Sequence, residues 1–336
     1  MDWSGMMRQL ITSADGGGGG VVSVRHADRV VFEEAWGLAD RRFLTSMTTS
    51  HRLGLASGSK AFTALVVMSL VQEGLVDLTT PARSVLQADL PLIDDRVTLE
   101  HLLSHTSGIG DYIDDDADDA EYLLPIPVSS LRGPEDYLGI LDGHPPVAGV
   151  GESFTYCNAG YVILALIAER LAGTPFQDLV QTRVIEPARM THTAYCRSDD
   201  LPGDAASGYV KLDGQWRSNV HHLPIVGSGD GGAYSTVADL HAFWTALFRG
   251  DIVTLESVTA MTADRVPGVG GPPAGYGLGF WLHGSGVISL EGADAGVSMY
   301  SIHHRASSTT ATVLANDGDG AWPFARLMID RLPWGD

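Results

Sequence analysis

The chain has 336 residues, 44% of them hydrophobic, so it is long enough to bury a large core. Its 41 acidic and 21 basic residues give a net charge of −20, which argues against nucleic acid and anionic membranes as partners. Two cysteines, Cys157 and Cys196, are too few for a disulfide framework or a four-cysteine metal site. The N-terminus shows no secretory signal and no apolar run is long enough to span a bilayer, so we expect a cytoplasmic protein.

The N-terminal elements read as a hairpin followed by a buried helix. Five glycines, Gly16 to Gly20, lack the Gly-Lys-Ser/Thr sequence of a phosphate loop and predict a turn. Two β-rich stretches, 21–24 and 29–37, are separated by a short connection and predict a hairpin. Residues 61–75 are apolar on nearly every face, which predicts a helix through the centre of the protein.

The middle of the chain is predicted to be helical and its last third to form strands. Residues 80–225 read as helices and loops, with one clear helix from Tyr161 to Leu171. Another helix begins after Ser235 or Thr236. The later predicted elements are strands at 276–282, 286–290, 296–303 and 309–316 and an amphipathic helix at 323–332. This order predicts a mixed domain formed by residues 1–78 and 228–336, with a helical insertion at 79–227.

The first motif with catalytic chemistry is Ser57-Gly58-Ser59-Lys60, directly before the apolar helix. Residues three apart on a helix share a face, so the two side chains can contact each other. A serine hydroxyl becomes a good nucleophile only when a neighbouring base takes its proton. A lysine can be that base, and Lys60 is one of only two lysines in the chain. An N-capping serine beside a surface lysine is the alternative interpretation.

Two further motifs add to this pair. In Tyr156-Cys157-Asn158, a phenol near a lysine can exchange protons with a serine, and an asparagine amide can bind a substrate carbonyl. The alternative for Tyr156 is a buried aromatic residue. In the predicted strand Leu290-Glu291-Gly292-Ala293, a small residue after glycine lets a substrate reach a backbone N–H. By itself, this stretch reads more simply as an ordinary strand end with a glycine bend.

Together, the order Ser-x-x-Lys, Tyr-x-Asn and a glycine-bearing strand resembles the penicillin-recognising serine hydrolases. The Tyr-x-Asn form resembles the branch of class C β-lactamases, DD-peptidases and family VIII esterases. Two other stretches are similar to that family, 98–108 and 231–236. The resemblance implies an α/β (α+β) fold: a mainly antiparallel sheet flanked by helices, with an inserted all-α domain and a site in the groove between them.

The resemblance also implies a role for each motif residue. Ser57 resembles the acylated nucleophile, Lys60 its proton acceptor, and Tyr156 the base that serves the leaving group and the hydrolytic water. Asn158 would orient the substrate, and the backbone N–H groups of Ser57 and Ala293 would hold the oxyanion. No metal or organic cofactor is required, since these side chains suffice. A zinc site at His101 and His105 would need a third ligand that the sequence does not identify.

The third motif departs from the family at its first position, which usually carries lysine or histidine. Depending on the register, Leu290 or Glu291 stands there, and neither is a cation that could receive a substrate carboxylate. Efficient β-lactam hydrolysis is therefore disfavoured unless a residue such as Arg305 substitutes. Small esters or amides fit better, and an acidic stretch from Asp111 to Glu121 could attract a free amino group.

The sequence thus predicts a serine hydrolase that forms an acyl-enzyme with a small-molecule ester or amide, similar to the family VIII esterases. The first alternative is a DD-peptidase, a D-amino-acid peptidase or amidase, or a β-lactamase. The second is a non-catalytic binding protein on the same fold, because fold alone does not fix function. The sequence does not determine the oligomeric state.

Overall fold

A computed structural model describes residues 2–14, 17–113, 123–269 and 274–332. The helices are α1 (Trp3–Ser13), α2 (Lys60–Gln72), α3 (Arg83–Leu86), α4 (Leu99–Leu103), α5 (Leu138–Leu141), α6 (Asn158–Ala172), α7 (Phe176–Val180), α8 (Val237–Arg249), α9 (Leu255–Met261) and α10 (Trp322–Arg331). Short 3₁₀ turns lie at Ala56–Ser59, Val128–Ser130, Pro134–Tyr137 and Gly284–Gly286, and a π-helical turn at Gln181–Ile185.

The strands form one large sheet and three small ones. They are β1 (Gly20–His26), β2 (Arg29–Trp36), β3 (Leu38–Asp40), β4 (Thr45–Ser46), β5 (Leu53–Gly54), β6 (Tyr209–Leu212), β7 (Gln215–Ser218), β8 (Tyr234–Ser235), β9 (Val266–Pro267), β10 (Ala274–Tyr276), β11 (Trp281–His283), β12 (Val287–Asp294), β13 (Val297–His304) and β14 (Thr309–Ala315). The large sheet has the order β2-β1-β14-β13-β12-β11-β10-β9, and every neighbouring pair is antiparallel. The N-terminal hairpin therefore pairs with the last strand, which joins both ends of the chain in one sheet.

Helices cover both faces of this sheet because its strands alternate apolar side chains between the faces. Val22 and Val313 point to one face and pack with residues of α1 and α10. Their neighbours Val21 and Leu314 belong to the larger core on the opposite face, which contains α2, α6 and α8. The predicted fold class, an antiparallel sheet flanked by helices, is confirmed.

Helix α2 occupies the centre of the larger core. Every residue from Lys60 to Leu70 is buried, as the all-round apolar sequence predicts. The predicted hairpin is β1–β2, and the predicted helix at Tyr161–Leu171 is α6. Thr236 is the N-cap of α8, and its side chain accepts a hydrogen bond from the Asp239 N–H. The sequence thus places these elements within a few residues of their observed bounds.

In its described residues, the middle segment consists of helices and loops as predicted, apart from one hairpin formed by β6 and β7. Asp213 and Gly214 turn this hairpin, and both have positive φ, 49° and 73°. Asp-Gly is a strong hairpin signal, and it was present in the sequence. Helix α1 is a second element that the sequence pattern did not predict. The domain boundaries at residues 78 and 227 stay a prediction.

No single helix in the described ranges is long and apolar enough to cross a membrane. One pair of segments, Asn158–Ala172 and Phe176–Ile185, reaches that length and apolar composition when the two are counted together, but the pair is sharply bent.

Candidate active site

A strained turn presents Ser57 at the start of the central helix. Ala56 has a φ of 42°, in the left-handed region that side chains other than glycine rarely adopt. The 3₁₀ turn Ala56–Ser59 then leads into α2, whose first residue is Lys60. Ser57 is half-buried and lines a cavity. Strain of this kind persists only where surrounding packing holds it, and it is common at functional sites.

Lys60 lies beside Ser57, and its ammonium is held by three oxygen atoms. Its Nζ is 2.8 Å from Ser57 Oγ, 2.7 Å from Asn158 Oδ1 and 2.8 Å from the carbonyl oxygen of Asp230. The side chain is 2% exposed. An ammonium uses all three of its N–H donors here. A neutral amine keeps two donors, for Asn158 and Asp230, and offers its lone pair to the Ser57 hydroxyl.

The ring of Tyr156 lies against this ammonium, with its centroid 4.9 Å from Lys60 Nζ. Tyr156 also lines the same cavity as Ser57. Its ring packs against His105 at a centroid distance of 4.3 Å and stacks on Trp281 at 6.3 Å. The structure therefore gathers a hydroxyl, an amine and a phenol at one place.

His105 supports the chain on both sides of Tyr156. Its Nδ1 accepts the Cys157 N–H at 3.0 Å, and its carbonyl oxygen accepts the Thr155 N–H at 2.8 Å. Burial, and secondarily the charge of Lys60, hold the pKa of His105 well below its usual range, so the ring is neutral and its proton is on Nε2. The structure thus gives this histidine a role in supporting Tyr156. His101 takes part in a capping box with Thr98 at the start of α4.

Asp111 fixes the start of α6 and thereby the position of Asn158. Its carboxylate accepts hydrogen bonds from the backbone N–H groups of Asn158 and, at 3.0 Å, Ala159. A carboxylate at this end of a helix is stabilised by the helix dipole. Residues 114–121 of this acidic stretch, including Glu121, lie outside the described residues.

Strand β12 passes directly beside the Ser57 turn. A Cβ added at Gly292 would lie 2.8 Å from Gly58 N and 2.9 Å from Ser57 N, so only glycine permits this approach. On one side β12 pairs with β13 up to Asp294, but on the other its pairing with β11 ends at Ser289. The last residues of β12 therefore extend beyond the partner strand, and Ala293 reaches the cavity.

The remaining third-motif residues point elsewhere. Leu290 is 2% exposed and belongs to the large core. Glu291 is half-buried opposite Tyr300, and desolvation raises its pKa from 4.5 to about 7. Neither residue lines the cavity. Arg305 lies over the ring of Phe248 at 5.5 Å and lines a separate depression, so it does not replace the missing cation.

The cavity above Ser57 has a volume of about 260 Å³ and contains residues that the sequence interpretation missed. Asp230 follows Gly229, whose carbonyl oxygen accepts a hydrogen bond from the Thr63 hydroxyl. The carbonyl oxygen of Asp230 accepts a hydrogen bond from Lys60 Nζ. Its carboxylate accepts a 2.5 Å hydrogen bond from the Tyr112 hydroxyl. Tyr112 and Asp230 are 118 positions apart in the sequence, and only tertiary folding brings them together. The glycine-rich stretch around Asp230 was the one available signal.

No group of three or more histidine, cysteine, aspartate or glutamate residues in the described part of the chain could hold a metal ion. Both cysteines are free and buried, and Cys196 lines the cavity.

Comparison with known proteins places this geometry in a family. The Beta-lactamase family model matches residues 7–327. Penicillin-binding protein 4* of Bacillus subtilis is 27% identical over 88% of this chain and 68% of that protein. A D-aminopeptidase of Brucella anthropi is 29% identical over 82% of this chain, which spans 51% of that longer protein. The structure of a penicillin-binding protein from Bacillus halodurans superposes with a TM-score of 0.89 at 30% identity, over 96% of this chain and 99% of that one. The chain belongs to the β-lactamase family and is a serine hydrolase of that family.

Proposed function

We propose that this protein hydrolyses small esters or amides through an acyl-enzyme on Ser57. The observation that carries the proposal is the hydrogen bond of 2.8 Å between Lys60 Nζ and Ser57 Oγ, at the base of an open cavity. A nucleophile in contact with its base, which a further group orients, is the arrangement that covalent catalysis needs. Here Asn158 is the orienting group, because it holds Lys60 from the other side.

In the acylation step, neutral Lys60 takes the proton of the Ser57 hydroxyl while Oγ bonds to the substrate carbonyl carbon. The backbone N–H groups of Ser57 and Ala293 stabilise the resulting oxyanion. When the tetrahedral intermediate collapses, the bond to the leaving group breaks, and Tyr156 donates the proton that this alcohol or amine requires.

In the deacylation step, water attacks the ester carbonyl of acylated Ser57, and the Tyr156 phenolate takes one of its protons. The Ser57 oxygen leaves and recovers a proton from the Lys60 ammonium, so both groups return to their starting states. The product is the free carboxylic acid. Removal of one oxyanion donor typically costs 10²–10³ in kcat, so the placement of Ala293 matters as much as that of the side chains.

The cavity favours neutral or cationic acyl compounds over anionic ones. None of its lining residues in the described ranges is a lysine or an arginine, whereas Asp230 and Asp294 both line it. Neither Leu290 nor Glu291, one of which stands where the family usually has the cation that receives a substrate carboxylate, is a cation. A carboxylate that loses a charge-assisted hydrogen bond loses about 1.5–3 kcal/mol, or roughly 10- to 150-fold in affinity.

A substrate panel tests this proposal. We expect p-nitrophenyl esters of short acids to be hydrolysed with a kcat/KM at least about 10-fold above that for nitrocefin, a chromogenic β-lactam whose carboxylate needs a cation. Ser57→Ala should remove both activities. Nitrocefin as the best substrate would support a β-lactamase instead. No turnover of any ester or amide, with no labelling by a fluorophosphonate, would support a non-catalytic binding protein.

A further inference from the structure

Two of the three oxygen atoms around Lys60 belong to segments that are far from it in the sequence. Asn158, whose Oδ1 lies 2.7 Å from Lys60 Nζ, is the first residue of α6. Asp230, whose carbonyl oxygen lies 2.8 Å from Nζ, belongs to a glycine-rich loop. A base takes a proton efficiently only when it is held within hydrogen-bond reach of the donor. The residues that hold Asn158 and Asp230 therefore matter for the reaction at Ser57.

Asp111 and Tyr112 are consecutive residues, and each of them holds one of these two acceptor residues. The Asp111 carboxylate accepts a hydrogen bond from the backbone N–H of Asn158. The Tyr112 hydroxyl donates a hydrogen bond of 2.5 Å to Asp230 Oδ2. Tyr112 is 8% exposed, so this contact is shielded from most competing water. One dipeptide is thus connected to both of the distant residues that hold Lys60.

The loop that carries Asp230 has little stiffness of its own. Four of the six residues at 227–232 are glycine, and all six lie outside the helices and the named strands. The central helix and the turn before it hold the backbone on both sides of Asp230. The Thr63 hydroxyl donates to the preceding carbonyl oxygen at 2.6 Å, and Ser59 Oγ accepts the N–H of residue 233 at 3.1 Å. Tyr112 adds an anchor on the side chain of Asp230 itself.

We propose that Tyr112 is a positioning residue that acts on Lys60 through Asp230. The Tyr112 hydroxyl holds the Asp230 side chain, the Asp230 carbonyl oxygen holds Lys60 Nζ, and Nζ lies 2.8 Å from Ser57 Oγ. The inference rests on the proposed function, because it assigns Tyr112 to the activation of Ser57. Loss of the hydroxyl releases the Asp230 side chain and loosens the acceptor that its carbonyl offers to the amine.

Inactivation by a fluorophosphonate measures the activation of Ser57 without a deacylation step. Oγ bonds to phosphorus, fluoride leaves, and Lys60 accepts the hydroxyl proton, so the second-order rate constant depends on the placement of Lys60. We expect Tyr112→Phe, which keeps the buried ring, to react at least about 10-fold more slowly than wild type. Tyr209→Phe is the matched control and should react at the wild-type rate. Tyr209 is 4% exposed and lies outside the cavity lining, and its hydroxyl accepts the Arg41 N–H at 2.8 Å.

Urea unfolding and a double-mutant cycle separate positioning from a general structural role. Both tyrosine variants lose a buried hydrogen bond and should be destabilised to a similar degree, but only Tyr112→Phe should change the rate constant of the folded protein. In an Asp230→Ala background, Tyr112→Phe should cause no further loss, because the hydroxyl then has no carboxylate to hold. Losses that multiply in the double variant would show that Tyr112 acts independently of Asp230, contrary to the proposal. The comparison with Tyr209→Phe carries the test if Asp230→Ala does not fold.

Equal rate constants for wild type, Tyr112→Phe and Tyr209→Phe would overturn the positioning role of Tyr112. If wild type is labelled in that experiment and Ser57→Ala is not, the hydrolase is retained and only the positioning role is rejected. A wild-type protein that is neither labelled nor able to hydrolyse any ester or amide would overturn both proposals.

Discussion

Lys60 keeps all of its hydrogen bonds in either protonation state, as a residue that accepts and then returns one proton should. As an ammonium it donates to Ser57, Asn158 and the Asp230 carbonyl, and as an amine it donates to two of them and accepts from Ser57. No buried donor or acceptor is stranded when the proton moves. The proton transfer that we propose between Ser57 and Lys60 would therefore need no rearrangement of the surrounding side chains.

Glu291 gives the protein a pH-dependent stability that can be measured directly. Its pKa is about 7 in the folded protein, because of desolvation, and near 4.5 when unfolded. Between these values the folded state holds a proton that the unfolded state has lost, so stability falls as pH rises through this window and then levels off. The loss amounts to roughly 3 kcal/mol at most. In Glu291→Gln this contribution is absent.

Urea unfolding at about pH 4.5 and pH 7.5 measures the effect, with the variant as the control for every other titrating group. We expect the stability of wild type relative to Glu291→Gln to be lower at the higher pH. An equal difference between the two proteins at both pH values would contradict this account of Glu291.

At the residue level, the sequence predicts contacts between residues that are close in the sequence well, and contacts between residues far apart in the sequence poorly. The spacing of Ser57 and Lys60 is enough to predict their contact. The approach of Tyr156 to Lys60 required the family resemblance, since almost 100 residues separate them. Asp230 and its partner Tyr112 were missed because no local pattern connects two residues that are 118 positions apart and meet only in the folded protein.

At the level of elements, the site depends on the close approach of β12 to the Ser57 turn. Gly292 allows that approach because it has no side chain to meet the backbone nitrogens of Ser57 and Gly58. We expect Gly292→Ala to push the strand away and to lower kcat about 100-fold or more, because both oxyanion N–H groups move apart. Steady-state kinetics on a p-nitrophenyl ester gives the measurement.

Gly139→Ala is the matched control for this substitution. Gly139 lies in α5, and an added Cβ meets nothing within 4 Å. The change should leave kcat at the wild-type value and stabilise the helix by about 0.5–1 kcal/mol. If Gly292→Ala were as active as Gly139→Ala, β12 would not contribute to the oxyanion site as proposed.

Elements with a strong local pattern were predicted best. The β1–β2 hairpin, α2 and α6 follow from alternation and apolar runs. The strand predicted at 276–282 is wrong, because residues 277–280 form the turn of a hairpin between β10 and β11. The short strands β9 to β11 have little pattern of their own and depend on pairing in the sheet. The β6–β7 hairpin had a usable signal in Asp213-Gly214, but its strands lie inside a segment that otherwise reads as helical. Helix α1 is fixed mainly by docking against α10.

At the level of the whole molecule, one core connects the sheet domain and the helical insertion. It includes Phe62 from the first predicted segment, Tyr161 from the insertion and Phe243 from the last segment. Because these side chains share one buried cluster, we expect the protein to unfold in a single transition. Scanning calorimetry should then give equal calorimetric and van't Hoff enthalpies. Two resolved transitions would show that there are two independent folding units. One would be the insertion, residues 79–227, and the other the sheet domain, formed by residues 1–78 and 228–336.

The net charge of −20 is a second property of the whole molecule, and it agrees with the carboxylates that line the cavity. Both favour cationic over anionic ligands, at long range and at contact respectively. The charge of the substrate stays a prediction, which the composition and the cavity lining both support.

The most direct test of the account is whether substrate becomes covalently attached to Ser57. The protein is mixed with an activated ester, quenched in acid within the first turnovers, and its intact mass and peptides are measured. We expect the mass to rise by one acyl group, located on the peptide that contains Ser57, and Ser57→Ala to show no such increase. An unmodified wild-type protein during active turnover, or an adduct that persists in Ser57→Ala, would contradict the central claim.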